Sequence, residues 1–198
     1  MGRLTGRTAI IAGGSKGIGY AISTTFAREG AEVAVVGSNA EAAEKTAQEI
    51  REASGKAIAV AADLTSEEGR AQVLTKTLAA FGKVDILINN AGWGCKSSFL
   101  ETDMASFDRS INLNLKATYF MAQLAVKQMI DQGCGGRVIN ISSTAALQGE
   151  RNSTIYSATK AGIISFTRAL ALEVGPYGIT ANCVLPGFTR TNNNGHVP

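Results

Sequence analysis

The sequence predicts an α/β fold, a doubly wound parallel sheet with helices on both faces. Short β-branched apolar runs recur along the chain, helical segments with a polar face separate them, and a glycine cluster follows the first run. Strands apolar throughout are what a parallel sheet covered on both faces requires. The first run is TAIIAGG, ended by its glycines, and a helix over about 17–29 follows. AEVAVVG (31–37) is the second strand, and the helix after it, about 40–54, sets Glu41, Glu44, Lys45, Glu49 and Arg51 on its polar face. KAIAVAAD (56–63), the helix SEEGRAQVLTKTLAAFG (66–82) and the strand VDILINN (84–90) continue the alternation. The longest helix expected runs from about Met104 to Asp131. GRVINISS (136–143), a helix over 155–174 and the strand GITANCVLP (178–186) bring the strands to six. No linker, repeat or change of composition divides the chain, so a single domain over 1–198 is expected.

Bulk properties exclude several function classes. The chain is 45% hydrophobic and 18% charged, as globular domains are, and its net charge of +3 comes from scattered basic residues. That pattern offers no electrostatic footprint for nucleic acid or an anionic membrane. No apolar run is long enough to span a bilayer, and MGRLTGRTAIIAGG has no signal-peptide pattern. Cys95, Cys134 and Cys183 are odd in number and irregularly spaced, which points to neither a zinc site nor a disulfide framework. A reducing cytoplasm is therefore expected, and no metal site. His196, the sole histidine, has no evident metal partners and is expected at the surface.

Chemistry concentrates at strand ends. In AGGSKGIG (12–19) the glycines fall at Gly13, Gly17 and Gly19, an order that differs from GxGxxG but occupies the same place in the fold. Glycine there lets the chain turn sharply and a pyrophosphate approach the backbone at a helix N-terminus. A tight turn with no ligand is the competing reading. Asp63 ends the third strand, where a carboxylate can accept from an adenine amino group or from backbone amides. NNAG (89–92) ends the fourth strand, at the sheet edge where ligands of open α/β sheets bind. In IYSATKAG (155–162), Tyr156 and Lys160 stand one helical turn apart on one face. An ammonium beside a phenol favours the phenolate and makes the tyrosine an effective proton donor and acceptor. The small neighbours Ser157, Ala158, Thr159, Ala161 and Gly162 are expected to leave room for cofactor and substrate at that face.

AGGSKGIG, Asp63, NNAG, NISS, YSATK and NCVLPG, in this order and spacing, resemble the classical short-chain dehydrogenase/reductases from residue 4 to about 191, with a flavour of the 3-oxoacyl-acyl-carrier-protein reductases. Ala12 departs from the family's glycine motif, which usually begins with Thr. The resemblance implies a Rossmann-type sheet and a dinucleotide held by Gly13, Ser15, Lys16, Gly17, Ile18 and Gly19, with Ser38, Asn39, Asp63 and Leu64 toward the adenosine. Asn90, Ala91, Gly92, Tyr156, Lys160, Pro186, Gly187 and Thr191 would complete the cofactor contacts, with Val184 near the nicotinamide. Tyr156 is then the general acid/base, and Lys160 assists it and binds the nicotinamide ribose. Ser143 would bond the substrate oxygen, and Asn114, preferred over Asn112, would hold a water linking Lys160 to solvent. Structural roles for these serines and asparagines are the alternatives.

NAD-preferring relatives carry an acid at the end of the second strand, whereas GSNAE (37–41) has Gly37, Ser38 and Asn39 there. With Lys16 able to meet a phosphate, NADP is favoured and NAD remains the alternative. The expected reaction is hydride exchange between the nicotinamide and a ketone or secondary alcohol, a 3-oxoacyl thioester included. An NAD-dependent alcohol or sugar dehydrogenase, or a non-catalytic NADP-binding subunit, are the alternatives. Trp93, Phe99 and Leu147 are expected to line a partly apolar substrate pocket. Family members continue past the equivalent of PGFTRTNNNGHVP with a helical lid and a seventh strand. The strand over 178–186, read as apolar on both sides, would otherwise be a bare edge. The resemblance therefore implies part of a longer chain, ahead of cover by another subunit or a tolerated weak edge. A homodimer or homotetramer through the two long helices is also implied.

Overall fold

A computed structural model describes residues 2–191; His196 and the rest of NNNGHVP lie outside the described residues. Six parallel strands form one sheet: β1 (Thr8–Ala12), β2 (Glu32–Gly37), β3 (Lys56–Ala61), β4 (Ile86–Asn89), β5 (Gly136–Ile141) and β6 (Ile179–Val184). Their spatial order is β3-β2-β1-β4-β5-β6, so the strand order reverses between β1 and β4 and a crevice opens there at the strand C-termini. The four residues of β4 and all five of β1 are buried, as the continuous apolar runs predict.

Helices cover both faces. On one, Ile11, Val33, Val35 and Ile88 pack against α1 (Gly17–Arg28) and α2 (Ala40–Glu52), where Ala43 and Ala47 allow close approach. On the other, Ile10, Val36, Leu87 and Val138 meet Val73 of α3 (Glu67–Phe81) and Met121 and Met129 of α5 (Ala117–Gln132). Two further helices, α6 (Ala145–Gln148) and α7 (Thr154–Val174), follow β5. Side chains cap α2 and α3: Asn39 accepts from the Ala42 amide at 2.8 Å and Ser66 from Gly69 at 2.9 Å. No helix among the described residues is long and apolar enough to cross a membrane.

Three expectations need correction. The helix expected over 104–131 is interrupted: α4 (Met104–Ser110) passes into one wide π-helical segment, Ile111–Lys116, before α5 begins. Such segments are rare and frequent at functional sites, and Asn114 sits inside this one, fully buried. The strand β6 lies at the sheet edge as expected, but it is apolar on one side only. Ile179 and Ala181 are buried while Thr180, Asn182 and Val184 are exposed. The small residues around Tyr156 serve packing as much as access. Thr159 is buried against Asn114, and a Cβ on Gly162 would stand 3.4 Å from the Leu115 methyls, so α7 lies tight on the π-helical segment.

A buried polar thread joins β4, β5 and α7. Asn89, opposite Asn140 in the sheet, donates to the Asn140 side chain at 2.9 Å and to the Thr118 carbonyl at 3.3 Å. Asn140 donates in turn to Thr167 on α7 at 2.9 Å.

Candidate active site

The turn after β1 is braced from every side. Gly13 takes φ +74°, a conformation that favours glycine, and its carbonyl accepts from the Asn90 side chain at 3.0 Å. A Cβ on Gly19 would fall 1.9 Å from that carbonyl, so the start of α1 packs directly on the turn. Ser23 donates to the Gly14 carbonyl at 3.0 Å and Thr46 to the Ser15 carbonyl at 3.3 Å. These bonds hold the turn where Ala12 supplies no hydroxyl. Gly37 at the end of β2 is required too, since a Cβ there would approach the Ser15 hydroxyl to 2.8 Å.

Unlike α2 and α3, α1 starts without a side-chain cap: Lys16 is extended and exposed at its N-cap. Its first-turn amides and the positive end of the helix dipole therefore suit an anion. With the crevice between β1 and β4 alongside, the donor set fits a dinucleotide pyrophosphate. Ser38 is exposed at the end of β2, and Asn39 beside it has its Oδ1 engaged in capping α2. Asp63 is exposed, and its carboxylate accepts from the Thr65 hydroxyl at 2.7 Å and amide at 2.9 Å, which hold it below the usual carboxylate range.

Tyr156, Lys160, Ser143, Asn90, Gly92, Ile18, Pro186 and Gly187 converge on one cleft of about 200 Å³. Lys160 is 4% exposed, donates to the Ile141 carbonyl at 2.8 Å and lies 5.7 Å from the centre of the Tyr156 ring. Burial pushes its ammonium down to about 8, partly opposed by Cys183. The Tyr156 hydroxyl makes no hydrogen bond among the described residues and faces the cleft on a half-buried ring. The two serines of NISS divide their work. Ser142 donates its hydroxyl to the Lys160 carbonyl at 2.7 Å, whereas Ser143 accepts from the Ala145 amide at 3.2 Å and keeps its own proton for the cleft.

Asn114 does more than its sequence context indicates. Its Oδ1 accepts from the Trp93 amide at 2.7 Å, and its Nδ2 donates to the Trp93 carbonyl at 3.0 Å and to Thr159 at 3.2 Å. It thus ties the loop after NNAG to α7, and Gly92 leaves the space between Asn114 Oδ1 and Lys160 Nζ, 3.3 and 3.5 Å from where a Cβ would sit. Asn112 is only partly buried and has no such contacts among the described residues. Of the three residues expected to line a substrate pocket, Trp93 does so, while Phe99 and Leu147 are 74% and 70% exposed and stand outside the cleft wall.

Arg70 was not singled out by its sequence. It is 5% exposed, donates to the Leu64 and Thr65 carbonyls at 2.8 and 3.0 Å and stacks on Phe120, so it shapes the loop that carries Asp63 and Leu64. No sequence signal finds it, because an arginine inside a helix reads as polar face. Leu64 is buried, Ala91 packs against the core, and Thr191, half-buried, lies beside α1 rather than in the cleft.

The sequence model of the family described as short chain dehydrogenase matches residues 7–198. The L-rhamnose 1-dehydrogenase (NAD(P)(+)) of Azotobacter vinelandii is 39% identical over 195 residues, 96% of this chain and 76% of that protein. The 3-oxoacyl-[acyl-carrier-protein] reductase of Chlamydia trachomatis is 36% identical, over 96% of this chain and 77% of its own length. Among solved structures, a 7α-hydroxysteroid dehydrogenase complexed with NADH and 7-oxo glycochenodeoxycholic acid superposes with a TM-score of 0.92 at 38% identity, covering 96% of this chain and 74% of that one.

Proposed function

The chain belongs to the short chain dehydrogenase family of oxidoreductases, and from that premise we propose that it interconverts a ketone and a secondary alcohol with NADP as the preferred cofactor. The observation that carries this reading is the convergence of Tyr156, Lys160 and Ser143 on the cleft beside the uncapped start of α1. When bound, the nicotinamide dinucleotide supplies or accepts the hydride. Gly13, Ser15, Lys16, Gly17, Ile18 and Gly19 would hold its pyrophosphate, with Ser38, Asn39, Asp63 and Leu64 at the adenosine end. Asn90, Ala91, Gly92, Pro186 and Gly187 would complete the site toward the nicotinamide, with Thr191, beside α1, on the phosphate side.

The chain's own residues handle the proton. Ser143, its hydroxyl free to donate, holds the substrate oxygen. Tyr156 gives that oxygen a proton in reduction and takes it back in oxidation, and the buried Lys160 cation stabilises the phenolate left behind. Lys160 would also bind the nicotinamide ribose. Asn114 retains one lone pair on Oδ1 after its three hydrogen bonds, enough to hold a water that relays protons between Lys160 and solvent. A 3-oxoacyl thioester and a sugar are both within reach of this chemistry, since relatives named for each are similar over most of the chain.

NADPH should bind more tightly than NADH, because β2 ends in Gly37, Ser38 and Asn39 without an acid and Lys16 is exposed nearby. Fluorescence titration of both, alongside an absorbance assay over ketones and alcohols, tests this. Lys16→Glu should weaken NADPH by about 1–2 kcal/mol, the worth of one charge-assisted phosphate contact, and weaken NADH by less, since NADH lacks the 2′-phosphate. Equal or tighter NADH binding by the wild type overturns the preference.

We also propose a homodimer or homotetramer through α4–α5 and α7. Tyr119 and Phe120 on α5 and Leu172 on α7 are exposed by 46%, 37% and 82%, an apolar surface suited to a second copy. A monomeric mass in solution would contradict it. The three cysteines are unpaired, which fits the cytoplasm as the working compartment.

A further inference from the structure

We propose that Trp93 is the residue that sets substrate shape, and that its indole selects a saturated ring, an alicycle or a pyranose, carrying the reacting secondary alcohol or ketone. The inference rests on the reading of the cleft as a carbonyl–alcohol centre. Trp93 lines that cleft with Ser143 and Tyr156, flanked by Gly92 and Gly94, which have no side chains to shield it. It lies on an irregular loop, where a large aromatic would ordinarily be free to swing, yet its main chain, its ring and the loop beyond it are each held. The buried Asn114 amide grips both its main-chain N–H and C=O. The Arg109 guanidinium from α4 stacks on the indole 4.3 Å from the ring centre, and makes no ion pair among the described residues. The loop beyond is fastened by Ser97 donating to the Asn152 carbonyl at 2.9 Å and by a Lys96–Glu150 ion pair at 3.0 Å.

Arg109 is not part of the cleft wall, so it backs the indole while another part of the ring meets the substrate. A pre-placed aromatic surface binds without the ordering penalty a mobile one would incur. Its broad π-face matches the C–H face of a saturated ring better than a narrow open chain, which covers less of it.

Trp93 is the only tryptophan of the chain, so the indole emission of the whole protein reports on this wall. The full chain is assayed with cyclohexanol, an aldopyranose and 2-hexanol. The wild type should favour at least one cyclic substrate over the open chain. In Trp93→Ala the cyclic-to-open ratio of kcat/KM should fall at least tenfold, carried mainly by KM, with Trp93→Phe recovering most of it. The better of the two cyclic substrates identifies the alicycle or the sugar as the ring read. Arg109→Gln, an exposed substitution that tests the backing without touching the cleft, should shift the emission and lower the same ratio about threefold. Titrating the cyclic alcohol into wild type should change the indole emission, and this needs no turnover. Activity that loses equally on cyclic and open substrates, or an emission indifferent to cyclic alcohol, overturns this inference and leaves the oxidoreductase reading standing. Emission that responds in a protein inactive on every substrate would instead count against that reading and support the ring site.

Discussion

Tyr156→Phe is expected to lower kcat by about three orders of magnitude, within the 10²–10⁴ range of a lost general acid–base group, while cofactor affinity changes less than about twofold. The substitution removes one oxygen and almost no packing. That hydroxyl has no hydrogen-bond partner among the described residues, so its loss leaves no buried group unpaired and the folding stability should stay level. Steady-state kinetics with a ketone, cofactor titration and thermal unfolding of the same preparation separate the three effects. A tenth of wild-type kcat in the Phe variant would remove Tyr156 from the proton-transfer role.

Lys160→Met should have the second largest effect, and it should act in opposite directions on activity and stability. Turnover falls by about 10²–10³ with the loss of the cation beside Tyr156, and cofactor affinity falls with the proposed ribose contact. Stability follows the proton. Lys160 titrates near 8 in the folded protein against an ordinary 10.5, so between those pH values the unfolded chain carries a proton that the folded one does not. Raising the pH through that window therefore favours the folded state. Below about 8 both states are charged and the full penalty of the buried ammonium is present, on the order of 3 kcal/mol. Methionine removes that penalty and forfeits the bond to the Ile141 carbonyl, which offsets about 1–3 kcal/mol. At pH 7 the cofactor-free Met variant should match or exceed the wild type in Tm, and its position relative to the wild type should decline steadily up to pH 10. A difference that stays constant with pH would show that the buried amine is not the titrating group.

Much of this molecule is legible from its sequence, and the illegible parts have identifiable causes. The strands declare themselves because a parallel sheet needs Val, Ile and Ala on both faces, and AEVAVVG or VDILINN can be little else. Strand tips carry the chemistry, so AGGSKGIG, NNAG and NISS mark the crevice before any coordinates do. The interruption at Ile111–Lys116 leaves no trace in INLNLK, which is as helix-compatible as its neighbours; it coincides with Asn114, whose side chain reaches across to Trp93. In the sequence Thr159 and Gly162 look like room for ligands, because smallness looks the same whether the neighbour is a ligand or a helix. The run over 178–186 looks apolar on both sides in the sequence, but Leu185 lies beyond β6 and Val184 stands at its exposed end.

The polar thread through Asn89, Asn140 and Thr167 has a consequence for how the sheet assembles. Displacing β5 by one residue along β4 would set Asn89 opposite Ile139 or Ile141 and strand its amide among apolar side chains. Each buried amide group left unpaired costs about 1–3 kcal/mol, a large fraction of the margin by which a domain stays folded. The two asparagines thus proofread a pairing that Leu87, Ile88, Val138, Ile139 and Ile141 by themselves specify only weakly. The same two strands run on into Asn90 and Ser143, so a molecule that passes this check has both edges of the cleft in step.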